Sequence, residues 1–169
     1  MATFINAASK PRVMLDTSVL LSGTVWPRWP YEILQHGIHG DYQLVLAPLL
    51  IDEAEAKFQQ RFPSHLARFQ ETFRSMDFEL VANPPREEIL TNRNLMVDIK
   101  DIPIALAAIN GHVDYFVSED KHFTAHTEQN ASLQTQLNIM RSGTFLRVVM
   151  GWSSDELEVV RGRNWSDVE

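Results

Sequence analysis

The sequence predicts an α/β fold, a three-layer α/β/α sandwich with a mainly parallel central sheet. Short apolar segments of strand-like composition alternate with helical segments along most of the chain, and this alternation is typical of such folds. Three of the apolar segments end in an acidic residue, at the point where a strand would stop. The length of 169 residues and the 44% hydrophobic content are enough for one domain with a sizeable core.

Five segments have the apolar, β-branched or aromatic character of strands. They are residues 12–15, 43–47, 78–82, 115–118 and 138–140. The carboxyl ends of parallel strands lie at one edge of a sheet, where open α/β folds bind their ligands. Residues that directly follow these strands are therefore the first candidates for a functional site.

The segments between the strands are predicted to be helical. The expected helices cover residues 18–22, 31–40, 49–62, 64–76, 101–110, 142–150 and 153–161, and 86–96 is either a helix or an irregular connection. Helix 101–110 is apolar almost all round, which predicts burial in the middle of the fold. In helix 49–62, Glu53 lies about 60° around the axis from the apolar Leu50, at the edge of the buried face.

Acidic residues follow the strands or begin the helices beside them. The candidates are Asp16, Glu53, Asp98, Asp101 and Asp120. Several carboxylates in one crevice repel each other unless a hard cation lies among them. The chain has no cysteine, which excludes thiolate ligands and disulfides, and oxygen ligands favour Mg²⁺ or Mn²⁺ over Zn²⁺. The pattern predicts a metal site.

Each of these acids also has an ordinary structural role available to it. Asp16, Asp101 and Asp120 precede helical turns and are suitable N-caps. Glu53 is placed to pair with Lys57, four residues further along the same helix. Capping alone does not easily account for acids at three strand ends, so the metal interpretation is favoured. Glu119 lies beside the set and is expected to point outward, since strand side chains alternate between faces.

The net charge of −7 and the pI of about 5.3 argue against non-specific coating of duplex nucleic acid. Five of the acids belong to the candidate metal set, so the charge is compatible with an enzyme that cuts nucleic acid held at a metal. No apolar run reaches the roughly 18 residues of a membrane span. Residues 1–11 lack the apolar centre of a signal peptide, so a cytoplasmic location is expected.

Four motifs, in this order along the chain, resemble the motifs of PIN-domain nucleases. They are Leu15-Asp16-Thr17-Ser18, Ile51-Asp52-Glu53-Ala54, Asp98-Ile99-Lys100-Asp101-Ile102-Pro103 and Val117-Ser118-Glu119-Asp120-Lys121. The resemblance extends from Arg12 to about Phe145. Two positions depart from the usual pattern: Ser18 stands where many members have Asn, and Glu119 where they often have Gly.

The resemblance implies a PIN-like fold and a metal-dependent endoribonuclease, often the VapC-like toxin of a toxin–antitoxin pair. It implies Asp16, Asp101 and Asp120 as ligands of Mg²⁺ or Mn²⁺, with Glu53 completing the catalytic set. The secondary residues are Thr17, Ser18, Asp98 and Ser118. RNA is the expected substrate and an antitoxin protein the expected partner, and members commonly form dimers. The corresponding organisation is a leader over 1–11, a nuclease domain over 12–150 and a helical extension over 151–169.

Two other functions stay open on the sequence. A non-catalytic PIN-like module would bind a protein or RNA without cutting it, although a degenerate copy is expected to lose carboxylates. An aspartyl-phosphate receiver also gathers acids at strand ends. That class requires an acidic doublet on an early strand, and none precedes Asp16; Lys121 matches its late lysine only loosely.

Several other residue groups have two interpretations each. His36 with His39, and His122 with His126, have spacings suited to a metal pair, but neither pair has a third ligand placed by the sequence. His122 follows Asp120 closely enough to approach a substrate. Trp26, Trp29 and Tyr31 are suited to base stacking, although a packed loop or an oligomer contact is favoured. The basic residues Lys57, Arg61, Arg68 and Arg74 either follow a phosphate backbone or form a solvated helix face.

Overall fold

The computed structural model describes residues 10–168 and contains a five-stranded, entirely parallel sheet. Its strands are β1 (Arg12–Leu15), β2 (Gln43–Leu46), β3 (Phe78–Leu80), β4 (Tyr115–Val117) and β5 (Ile139–Met140). The strand order is β3-β2-β1-β4-β5. The predicted α/β/α sandwich is therefore confirmed, whereas the predicted leader lies almost wholly outside the described residues.

Helices cover both faces of the sheet. They are α1 (Thr17–Val25), α2 (Trp29–Ile38), α3 (Pro48–Arg61), α4 (Leu66–Arg74), α5 (Arg86–Thr91), α6 (Ile102–Asn110), α7 (Lys121–Thr124), α8 (Ala131–Gln136), α9 (Ser142–Val148) and α10 (Ser154–Val160). On one face, α1 contacts α2, α3 and α4, and α9 contacts α2 and α10. Helices α5 and α6 contact each other, and the right-handedness of parallel crossovers places them on the opposite face.

The direction of winding reverses between β1 and β4. From β1 the chain adds β2 and then β3 on one side, and it returns to add β4 and β5 on the other side. Such a reversal leaves a crevice beyond the carboxyl ends of the two central strands, because their following connections diverge to opposite faces. Asp16 follows β1 directly and Ser118 follows β4 directly, so both lie at this crevice.

The two central strands are buried on both faces. Val13, Met14 and Leu15 of β1 have no exposed surface, and neither do Phe116 and Val117 of β4. Burial on both faces explains why these strands are continuous apolar runs instead of alternating patterns. Helix α6 is similarly enclosed, which accounts for its apolar character on every side.

The structure differs from the predicted elements in a few places. Helix α1 continues through Gly23 to Val25 instead of ending before the glycine. A side chain at Gly23 would bring its Cβ within 2.7 Å of Leu34 and 2.9 Å of the Pro30 carbonyl oxygen, so glycine permits close packing of α1 on α2. Segment 86–96, for which the sequence allowed either a helix or an irregular connection, contains helix α5 followed by turns. Helices α7 and α8 are too short for an apolar period to predict them.

The C-terminal segment packs against the connection between α1 and α2. Trp29 Nε1 donates a 2.9 Å hydrogen bond to the Leu157 carbonyl, and Trp165 Nε1 donates one of the same length to the Val25 carbonyl. The ring of Tyr31 meets that of Trp165 edge-on at 5.3 Å. Trp29 and Tyr31 thus have packing roles. Within residues 10–168, no helix has the length and apolar character needed to cross a bilayer.

Candidate metal site at the carboxyl ends of the central strands

Asp16 is the most buried acid of the predicted set, with 5% of its surface exposed. Ser118 Oγ and Ser18 Oγ donate hydrogen bonds of 2.8 and 3.1 Å to Asp16 Oδ2. Burial raises the pKa of Asp16, while the two hydroxyl donors oppose that increase by stabilising the carboxylate. The ends of β1 and β4 therefore hold a desolvated carboxylate in one orientation.

The residues after β4 are connected to those after β1 by further hydrogen bonds. The Asp120 amide donates to Ser118 Oγ at 3.0 Å, and the Glu119 amide donates to Ser18 Oγ at 3.1 Å. Each serine hydroxyl thus donates to Asp16 and accepts from the segment that carries Asp120. This arrangement positions Asp120 relative to Asp16, and it is a structural reason for the predicted secondary role of Ser18 and Ser118.

Asp98, Asp101 and His122 form a second part of the site. His122 Nδ1 lies 3.2 Å from Asp101 Oδ2, 3.4 Å from Asp98 Oδ2 and 3.6 Å from Asp120 Oδ1. One potential ligand atom from each of Asp98, Asp101 and His122 lies within 4.8 Å of the other two. Three carboxylates from two separate chain segments therefore converge on one imidazole.

The electrostatic state of Asp101 shows that these acids interact. Burial, followed by the negative charges of Asp120, Asp98 and Asp16, raises the pKa of Asp101 to about 6. The hydrogen bond with His122 opposes this increase. A divalent cation relieves such repulsion, and the donors are carboxylate oxygens with one imidazole nitrogen. The carboxylate oxygens are the donors that hard divalent cations such as Mg²⁺ and Mn²⁺ prefer, whereas the imidazole nitrogen is not a usual Mg²⁺ ligand.

Glu53 lies at the edge of the same site on α3. Its charge contributes to the raised pKa of Asp16, which places it within electrostatic range of that carboxylate. Its Oε1 also lies 3.1 Å from Lys57 Nζ, four residues along the helix. The predicted ion pair and the predicted proximity to the acidic set are therefore both present.

Helix capping accounts for only some of these acids. Asp120 Oδ1 accepts a 2.9 Å hydrogen bond from the His122 amide, as an N-cap of α7 does. Asp16 and Asp101 precede α1 and α6 but make no side-chain capping bond there. The two most buried acids are thus free of the structural role that the sequence offered them.

Glu119 is turned away from the acidic set. Its Oε2 accepts a 2.8 Å hydrogen bond from the Ser142 amide at the start of α9, and its Oε1 lies 3.9 Å from Arg141. The side chain thus connects the end of β4 to α9. This geometry agrees with the expectation that Glu119 takes no part in the acidic set.

The sequence did not place His122 among the acids of the site. Its spacing suggested His126 as a partner, but the imidazole instead meets Asp98 and Asp101, which are distant in the chain. Asp98, expected only as a secondary residue, belongs to this three-residue group. The available signal was the position of His122 two residues after Asp120, combined with the Asp98-x-x-Asp101 spacing.

Two of the four basic residues predicted on α3 and α4 have other contacts. Lys57 pairs with Glu53, and the guanidinium of Arg68 lies 4.5 Å from the centre of the Trp165 ring. Arg68 also donates a 3.4 Å hydrogen bond to the Thr24 carbonyl. The four side chains therefore do not act as one free basic stripe.

Comparison with known proteins gives a family match and similar solved structures. The family model described as PIN domain matches residues 12–122, which include every acid of the site. The crystal structure of PAE2754 from Pyrobaculum aerophilum aligns with a TM-score of 0.56 and 15% identity, covering 84% of this chain and 98% of that one. The crystal structure of VapBC2 from Rickettsia felis, bound to a DNA fragment from the VapBC2 promoter, aligns with a TM-score of 0.55 and 14% identity, covering 77% of this chain and 98% of that one. No curated protein sequence matches.

Proposed function

The chain belongs to the PIN-domain family, and from that premise we propose that it is a Mg²⁺- or Mn²⁺-dependent endoribonuclease that hydrolyses RNA phosphodiesters. The observation that carries the proposal is the convergence of Asp16, Asp98, Asp101 and Asp120 at the end of the two central strands. Their mutual repulsion, visible in the raised pKa of Asp101, suits a site that is completed by a divalent cation.

Asp16, Asp101 and Asp120 are the proposed metal ligands, directly or through water. Ser118 and Ser18 orient the Asp16 carboxylate and keep one of its oxygens hydrogen-bonded. With Mg²⁺ or Mn²⁺ bound there, a coordinated water would have a lowered pKa and the charge that accumulates on the phosphate would be neutralised. The buried position of Asp16 limits the water that competes for this carboxylate.

Glu53 is proposed to orient or deprotonate the attacking water. Its half-buried position at the edge of the crevice leaves the carboxylate accessible, and Lys57 Nζ lies 3.1 Å from its Oε1. His122 lies beside both Asp98 and Asp101 and is proposed to hold the Asp101 carboxylate in position, with Thr17 supporting the turn after β1. No covalent intermediate is required by this arrangement.

The biological role that we propose is the toxin of a toxin–antitoxin pair, acting in the cytoplasm. The alignment with VapBC2 supports an antitoxin partner, and a homodimer is the oligomeric state that we propose. In this proposal, residues 12–150 form the nuclease domain and 151–169 form an extension. The extension would stabilise the α1–α2 connection through the contacts of Trp165 and Leu157.

The direct test is cleavage of a panel of single-stranded RNAs with Mg²⁺ or Mn²⁺, with DNA of the same sequences as a second arm. Asp16→Asn and Asp101→Asn should each reduce cleavage by at least about 100-fold, since each removes a charged ligand. Asp77→Asn serves as the matched control, because this acid is exposed and precedes β3 at the opposite edge of the sheet. Undiminished metal-dependent cleavage in both site variants would refute the assignment.

The alternative is a PIN-like module that binds RNA or a protein without cutting it. The ion pair of Glu53 with Lys57 is the observation that favours it, because a carboxylate already held by a lysine is less available to an attacking water. Calorimetry with Mn²⁺ separates the two functions before any substrate is known. An enzyme of the proposed type binds the metal and loses binding in Asp101→Asn, whereas a module with no metal requirement shows no heat in either protein.

A further inference from the structure

Two adjoining cavities lie beside the acidic site, on the side of α1, α2 and the C-terminal segment. Their volumes are about 420 and 390 Å³, and both are lined by Trp29, Glu119 and Arg161. We call them together the arginine groove. Its defining side chains are Trp26, Arg28, Arg141, Arg147, Arg161 and Glu119.

The groove is basic although the chain is acidic overall. Four of its six defining side chains are arginines, in a protein whose net charge is −7. The one acid among them, Glu119, already accepts a hydrogen bond from the Ser142 amide. Arg161 has a second partner in Glu158, but that pair is solvent-exposed and therefore weak. Glu119 Oε1 also lies 3.9 Å from Arg141, and Arg28 Nε donates a hydrogen bond to the Arg163 carbonyl. The positive charge left for a ligand is therefore mainly that of Arg147 and Arg161.

The groove is continuous with the acidic site. Ser22 lines it and lies four residues after Ser18 on α1, so both side chains share one helix face about 6 Å apart along the axis. Ser18 in turn donates to Asp16. Glu119 bridges the two regions as well, since its amide donates to Ser18 and its side chain lines the groove. A chain that reaches Asp16 can therefore continue into the groove.

An accessible aromatic ring lies at one end of the groove. Trp26 has 39% of its surface exposed and contacts Phe62 only edge-on, at 5.7 Å between ring centres. Trp29 is different: Gly143 lies against its ring, the guanidinium of Arg161 lies 5.3 Å from its centre, and its Nε1 is hydrogen-bonded. Trp26 is therefore available for stacking, and Trp29 supports the wall.

We propose that the arginine groove binds the single-stranded RNA next to the cleaved phosphodiester, with a base stacked on Trp26 and phosphates contacted by Arg147 and Arg161. This inference rests on the proposed function and assigns its substrate a second contact surface. Proteins that bind single-stranded nucleic acid commonly combine arginines that contact its phosphates with an aromatic side chain that stacks on a base. A duplex keeps its bases stacked inside, so it cannot use Trp26.

An acidic peptide is the competing occupant, because it would also meet the arginines. Two observations favour RNA. The exposed Trp26 ring offers a face to a base, which a row of carboxylates does not use, and the groove opens directly onto the acidic site.

The test measures binding without cleavage. A short fluorescein-labelled single-stranded RNA of mixed sequence is titrated with full-length protein in EDTA, and anisotropy is read at several salt concentrations. Arg147→Gln and Arg161→Gln should each weaken binding about fivefold and lower the salt dependence by about 0.7 per lost phosphate contact. Trp26→Ala should weaken it about tenfold with unchanged salt dependence, as expected for lost stacking.

Arg74→Gln is the matched control, since Arg74 is exposed at the end of α4, at the edge of the sheet opposite the strand ends. It should bind RNA as the unaltered protein does. Melting temperatures of all four variants verify that they fold. Because the Arg147 side chain is exposed, its substitution should change RNA binding without disturbing the packing of the protein.

The outcomes separate this inference from the proposed function. Loss of RNA binding in the groove variants supports the groove even if no metal-dependent cleavage is found. Cleavage and binding that are unaffected by all three groove substitutions overturn the groove while leaving the nuclease assignment intact. Failure to bind the RNA, together with groove-dependent binding of polyglutamate, also overturns it and assigns the groove to an acidic protein partner.

Discussion

Ser118 and Asp16 are 102 positions apart in the chain, yet Ser118 Oγ donates a 2.8 Å hydrogen bond to Asp16 Oδ2. The pair exists because β1 and β4 are neighbours and the chain reverses its winding direction between them. The same hydroxyl accepts from the Asp120 amide. One serine therefore sets the orientation of two proposed metal ligands.

Ser118→Ala is expected to weaken Mn²⁺ binding by about 10- to 100-fold, as loss of a hydrogen-bond partner of a metal ligand commonly does. The carboxylate of Asp16 loses a donor, and the Asp120 amide loses its acceptor. Isothermal titration calorimetry measures the change. Ser142→Ala is the matched control, because that serine is also fully buried and its hydroxyl has no hydrogen-bond partner among residues 10–168. Equal affinity in the two variants would contradict the positioning role of Ser118.

Metal-free protein should become more stable as the pH falls through the range of Asp101. The pKa of this carboxyl is raised from 3.8 to about 6 in the folded state, so the folded chain takes up the proton first. Between about pH 6 and pH 4 the folded state therefore binds more protons than the unfolded one, and its stability increases. Above that range both states are ionised and the repulsion is undiminished.

Asp101→Asn removes this charge, and its effect on stability should follow the same pH range. In EDTA the variant should melt a few degrees above the unaltered protein near pH 7, and the difference should vanish near pH 4. Addition of Mn²⁺ should reverse the order at neutral pH, since only the unaltered protein keeps the ligand. Asp77→Asn should show neither effect. A difference in melting temperature that does not change with pH would argue against the raised pKa.

His122→Ala is expected to lower the melting temperature of the metal-free protein by about 2 °C, because the carboxylates around the imidazole lose a hydrogen-bond partner. The distances of 3.2 to 3.6 Å from Nδ1 to these acids support that role. Saturating Mn²⁺ should reduce the loss, since the cation would take over as the partner of these carboxylates. His126→Ala should be silent in differential scanning fluorimetry, because it lies outside this group of residues.

Arg163→Ala is expected to reduce the free energy of unfolding by about 2 kcal/mol. Its guanidinium donates 2.7 Å hydrogen bonds to the Pro27 carbonyl and to Glu32. The side chains of Arg163 and Glu32 are both largely buried. Urea denaturation measures the loss, with the exposed Arg86→Ala as control. Arg163→Lys should restore only part of it, since an ammonium group lacks the fork that reaches both acceptors. Full stability in Arg163→Ala would show that the C-terminal contact is dispensable.

Much of the fold was predictable because its signals are local. Strand β1 has the predicted bounds, and β2 differs only at its last residue, since each is a compact apolar run. The short helices α7 and α8 were missed because four to six residues contain too little periodicity. Helix α1 was predicted too short because the role of Gly23 depends on its contact with Leu34, which no local pattern reveals.

The sequence by itself determined the layered α/β class, the acids that follow the strands and the absence of thiolate ligands, since composition and period-based signals are carried by neighbouring residues. Only the tertiary structure decided the order of the strands and therefore which acids meet. It placed His122 against Asp98 and Asp101, turned Glu119 toward α9 and packed Trp165 on the α1–α2 connection. These contacts join residues far apart in the chain, and they form because burying the two central strands brings their carboxyl ends together.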